Sequence, residues 1–70
     1  MKLSAREQFA NRVRELRAER GWSQDDLAAE AGLHRTYIGT VERAEQSITL
    51  DSVEKIAKAF KVSISEMFGE

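Results

Sequence analysis

Apolar residues recur along this chain at helical spacing, and nowhere do they alternate as a half-buried strand would require. Phe9, Val13 and Leu16 fall on one face of a first predicted helix running from about Ser4 to Arg20, and Gly21 stands where a left-handed C-terminal cap is needed. A second helix starts at Ser23. Its hydroxyl is placed to cap the free amides, Asp26 three residues on approximates a capping box, and Trp22 and Leu27 flank the cap as a hydrophobic staple. Gly32 ends this helix in a short turn. The staple then repeats at every later start: Leu33 with Ile38 across His34, Ile48 with Val53 across Thr49, and Val62 with Met67 across Ser63. Ser63 and Glu66 form the clearest capping box. The fourth helix carries Leu50, Val53, Ile56, Ala57 and Phe60 on one side, and a short fifth carries Ile64, Met67 and Phe68. The pattern predicts an all-α fold, with five short helices in one domain over residues 1–70.

Helices two and three are joined by Ala31-Gly32-Leu33, short enough to hold them at the steep angle of a helix-turn-helix unit spanning about 23–43. Ala28, Ala29 and Ala31 let the two backbones approach. Glycine-containing turns join helices in many bundles, so the turn alone does not decide the matter. With residues set at about 100 degrees each, Ile38 and Val41 point to the core, and Arg35, Thr36, Gly39, Thr40 and Arg43 share the opposite arc. An ordinary solvated face favours Glu, Lys and Gln, which are good helix formers. Here arginine is suited to bond guanine bidentately, and threonine to bond bases or touch the thymine methyl group. Gly39 costs about 1 kcal/mol relative to alanine in a helix interior, which close backbone approach to a partner would explain. Gln24, in the first turn of helix two, is placed to grip a phosphate, and Arg43 and Ser47 to hold the backbone on the far side.

Charge complicates this picture. The formal net charge is -1, whereas phosphate binding normally rests on a basic surface. The distribution is uneven, however: residues 1–20 hold six basic side chains against three acidic, and Asp25, Asp26 and Glu30 reverse the sign over residues 21–33. A chain of 70 residues sustains only a small core. With no cysteine and one histidine it has neither a disulfide framework nor the ligands of a zinc site. No cofactor or metal is therefore expected. The first residues lack an apolar stretch of signal-peptide length, and no run approaches a membrane span, so a cytoplasmic protein is expected.

From Ser23 to Phe68 the runs Ser-Gln-Asp-Asp-Leu-Ala, Ala-Gly-Leu-His-Arg-Thr-Tyr-Ile, Val-Glu-Arg and Ser-Val-Glu-Lys-Ile-Ala-Lys-Ala-Phe-Lys-Val-Ser resemble the phage Cro and repressor-type (XRE) helix-turn-helix family. His34-Arg35-Thr36-Tyr37-Ile38 is most similar to the small controller proteins of restriction-modification systems. The resemblance implies a phage-repressor-type fold and a transcriptional regulator that binds double-stranded DNA as a homodimer on a pseudo-palindromic operator, with RNA polymerase as a further contact. It places Arg35, Thr36 and Thr40 at base edges, Gln24 and Tyr37 on the DNA backbone, and Arg17 and Glu42 in a partly buried ion pair. The dimerisation region would be about residues 44–70, through Ile48, Leu50, Ile64, Met67 and Phe68, with Met67 and Phe68 also reading in part as core. One departure stands out: relatives often carry glycine and basic residues after Glu-Arg, where this chain has Ala44-Glu45-Gln46-Ser47-Ile48. The turn then loses its permissive residue, and Glu45 lowers the attraction to phosphate.

Two other readings compete. A protein-interaction module, or an antitoxin-type regulator acting mainly through a protein partner, would keep the fold and turn helix three to that partner; the acidic balance favours it. An enzyme would need a nucleophile with its base, a phosphate-cradling glycine loop or a sizeable pocket, and the sequence offers none of these. His34 reads as a helix-start residue, and the acids at the start of helix two as a match to its dipole.

Overall fold

The computed structural model describes residues 3–45 and 48–68. These form α1 (Ala5–Arg20), α2 (Gln24–Ala31), α3 (Arg35–Glu42), α4 (Leu50–Phe60) and a single 3-10 turn (Ser65–Phe68). The fifth element is thus shorter and tighter than the α-helix the sequence suggests. Its capping box is nevertheless made: the Glu66 amide donates to Ser63 Oγ at 3.2 Å, and the Ser63 amide to Glu66 Oε1 at 2.7 Å. The element's four residues, Ser65–Phe68, make one turn.

Each helix starts where a polar side chain meets its free amides. Ser4 and Ser23 both form reciprocal capping boxes, with Glu7 and Asp26, and Thr49 Oγ1 accepts from the Ser52 amide. Hydrogen bonds from Ser4 hold the Glu7 carboxyl below its ordinary pKa, and those from Ser63 do the same for Glu66. Both boxes therefore add stability above the ordinary carboxylate range and lose it as pH falls through the lowered values.

Three helices close with one motif. The amide of the cap residue and that of the next residue bond back to carbonyls of the last turn, at Gly21-Trp22, Gly32-Leu33 and Lys61-Val62. All three cap residues are left-handed, and in the third a lysine (φ 61°, ψ 42°) takes the place of glycine. Lys61→Gly relieves the steric cost and adds back chain entropy, for a net gain of about 0.5–1 kcal/mol. A rise in the urea midpoint at unchanged slope is the expected result; an unchanged or lowered midpoint would show that the strain at Lys61 does not exceed the entropic cost of glycine.

The core gathers Phe9, Val13, Leu16, Leu27, Ile38, Val41, Val53, Ile56, Phe60 and Met67, each at most 3% exposed. Helix α1 packs against α3 and the 3-10 turn, and α2 packs against α3 and α4. Trp22 stacks on Phe60 with ring centres 5.5 Å apart. Helix α3 is therefore gripped from behind by two helices, with its other side open. No helix among the described residues is long and apolar enough to cross a membrane.

Candidate nucleic-acid interface

Helix α3 begins at His34, whose Nδ1 accepts from the Thr36 amide at 3.1 Å. Accepting there requires a bare Nδ1, so the proton of the neutral ring sits on Nε2. The cap presents Arg35 and Thr36 at the exposed start of the helix. Arg35 keeps 61% of its side chain exposed, and its Nε lies 3.2 Å from Asp25 Oδ1 on α2. One turn on, Thr40 Oγ1 donates to the Thr36 carbonyl at 3.1 Å. Its one hydroxyl hydrogen is committed, leaving oxygen lone pairs and a methyl group to meet a partner. Tyr37 is half-buried against the core.

Gly39 departs from the expected arc. It is buried, because Arg43 one turn further along folds back over it; a Cβ there would lie 3.1 Å from Arg43 Nη1. The bare backbone is thus covered by a side chain of its own helix. Arg43 itself is 58% exposed, with its Nε 3.0 Å from Glu45 Oε2. Each exposed arginine of this surface is accordingly paired with a carboxylate.

Behind the exposed face, Glu42 is 6% exposed and accepts three hydrogen bonds: Arg17 Nε at 2.7 Å, Arg17 Nη2 at 2.9 Å and Gln24 Nε2 at 3.1 Å. Arg17 Nη1 reaches the Trp22 carbonyl at 2.9 Å. The Glu42 carboxylate raises the Arg17 pKa, outweighing the opposing effect of burial, so the guanidinium stays charged. The expected ion pair is present, and it gains a third member in Gln24. One Gln24 N–H is spent on Glu42 and the other remains for a second acceptor.

Two contacts that sequence reasoning missed complete the support. Arg14 Nη1 donates to the Glu42 carbonyl and Arg6 Nη1 to the Ala44 carbonyl, the latter at 3.4 Å. Both cations meet the negative end of the α3 dipole. The basic character of α1 is therefore spent partly on positioning α3. Ala44 takes a φ of 56°, so the turn keeps a left-handed residue without glycine. Ser47 lies outside the described residues.

On another part of the surface Leu50 is 81% and Ile64 44% exposed, while Ile48 and Phe68 are half-buried. Met67, expected beside them at a dimer surface, is fully enclosed in the core. The 3-10 turn, with the Met67 amide bonded to the Ile64 carbonyl at 3.0 Å, directs it inward. Phe68 packs on Phe9 with ring centres 5.5 Å apart.

The helix-turn-helix family model matches residues 13–67 of this chain. The control protein C.SmaI of Serratia marcescens is 42% identical over 65 residues, which cover 93% of this chain and 77% of that protein. Among solved structures, the restriction-modification controller protein C.AhdI from Aeromonas hydrophila superposes with a TM-score of 0.85 at 40% identity, covering 90% of this chain and 96% of that one. The restriction-modification controller protein C.Esp1396I, solved as a tetramer with its natural 35 base-pair operator, superposes with a TM-score of 0.85 at 32% identity. That match covers 97% of this chain and 90% of that one.

Proposed function

Because the chain belongs to the helix-turn-helix family, we propose that it is a sequence-specific DNA-binding transcriptional regulator of the restriction-modification controller type, acting in the cytoplasm. It binds a pseudo-palindromic operator as a homodimer, with residues about 44–70 forming the dimerisation region. The observation that carries this reading is the exposed start of α3, with Arg35 and Thr36 open to a partner on a helix held from behind by α1 and α2. Operator binding by the relative C.Esp1396I supports it.

In this reading α3 enters the major groove. Arg35 bonds a guanine edge, Thr40 accepts from a base amine or packs on a thymine methyl, and Thr36 reaches the neighbouring base. Gln24 uses its remaining N–H on a phosphate while Glu42 holds the other, and Tyr37 and Arg43 flank it on the DNA backbone. Such a regulator acts without catalysis of its own, and contact with RNA polymerase belongs to the same reading.

Selection from a random duplex pool tests the proposal. Recovery of two half-sites related by dyad symmetry, about 10 base pairs between centres, is the expected result. On the recovered duplex, Arg35→Ala is expected to cost about 1–3 kcal/mol and to relax preference at one position in each half-site. Failure to enrich any sequence at low salt would overturn the DNA reading in favour of a protein partner.

A further inference from the structure

Resting on that reading of Arg35, we infer that Asp25 is a specificity-determining residue, holding the Arg35 side chain in a guanine-reading pose and denying it to phosphates. The contact is an ion pair at Nε, from which Asp25 Oδ1 lies 3.2 Å away. Guanine O6 and N7 are read bidentately by a guanidinium edge, and a carboxylate at Nε leaves the terminal edge, Nη1 with Nη2, for that purpose.

Both partners are largely exposed, at 61% and 72% of their side chains, so the pair adds little to folding stability. Its effect falls on binding. An unrestrained arginine loses the freedom of a long side chain when it docks, and one biased by Asp25 toward its bound pose has less to lose. An unrestrained Arg35 is also free to swing onto a phosphate, a contact available on every sequence. Asp25 repels the same phosphates. It therefore raises the ratio of specific to nonspecific binding while lowering nonspecific affinity, consistent with a chain of net charge -1 that must find one site. Its neighbour Asp26 is committed to the Ser23 amide at 2.8 Å, so the two adjacent acids have different tasks.

The test uses wild type, Asp25→Ala, Asp25→Asn, Arg35→Ala and the Asp25→Ala/Arg35→Ala pair, each titrated against the selected duplex, its single base-pair variants and a random-sequence duplex. Arg35→Ala first identifies the guanine position, as the one whose preference it removes. Asp25→Ala is then expected to cut preference at that position roughly three- to tenfold, from the cost of ordering one long side chain. Affinity for the random duplex should rise severalfold at the same time. Asp25→Asn, which keeps the size of the side chain but loses the charge that makes the ion pair, should lose the preference nearly as far as Asp25→Ala does. In the Arg35→Ala background the Asp25 change should leave all base preferences alone. A uniform gain on every duplex with unaltered preferences would overturn the inference, making Asp25 a repulsive charge and nothing more. If Arg35→Ala itself leaves every preference intact, the assignment of Arg35 falls instead.

Discussion

Glu42→Ala is expected to lower folding stability by about 3–5 kcal/mol, the range for breaking a buried ion pair by removing one partner. A domain of this length is held by about 4–10 kcal/mol, so the variant retains a fraction of its stability or unfolds at ambient temperature. The size of the effect follows from what is left behind. Glu42 receives both Arg17 nitrogens and the Gln24 amide, and all three donors lose their acceptor in a part-buried site. Because Arg17 belongs to α1, Gln24 to α2 and Glu42 to α3, the damage spreads to all three helices behind the interface. Urea unfolding followed by circular dichroism measures it. Arg17→Met combined with Glu42→Leu should cost markedly less than the two single changes added together, since no unpaired charge remains. Additive losses would show that the pair is not coupled, and an unmoved midpoint for Glu42→Ala would remove its structural role.

The local signals in the chain were strong enough to place every helix start. A hydroxyl at Ser23, Thr49 or Ser63 followed three residues later by its partner is a contact made within one turn, and the structure contains each of them. Gly21 and Gly32 likewise mark their helix ends. Arg14 and Arg6 are different. Their carbonyl partners lie 28 and 38 residues away, and no periodicity reports which cation will meet which helix end. The fifth element differs for another reason: it is a 3-10 turn whose Met67 amide bonds the Ile64 carbonyl and turns the Met67 side chain inward, which helical spacing does not report. At Gly39 the wheel was right about direction but blind to Arg43, whose long side chain covers the neighbouring turn. Pairing of Arg35 with Asp25 was hidden because acids at a helix start already have an explanation in the dipole. Of the interface, then, the residue types on α3 could be read from sequence, whereas the carboxylates that restrain them could not.

Leu50→Asp is expected to weaken binding to a duplex with two half-sites by about 10²- to 10⁴-fold, the range over which linked sites exceed single ones. Leu50 is a large apolar side chain 81% exposed at the first position of α4, where burial within its own chain gives it nothing. It lies in a shallow groove with Ile48, Val53 and Phe68, the surface through which the proposed homodimer would close. An aspartate there opposes its own copy across a two-fold axis, yet it suits the first turn of a helix, so the monomer keeps its fold. Binding to a single half-site should therefore be unchanged, since α3 and its supports are untouched. Sedimentation equilibrium reads the oligomeric state, and titration on the two duplexes reads the avidity. Loss on the double site with retention on the single one is the signature of a broken dimer. A variant that still sediments as a dimer and binds both duplexes like wild type would move the interface away from Leu50, to Ile64 or Leu3, the other large apolar side chains exposed among the described residues.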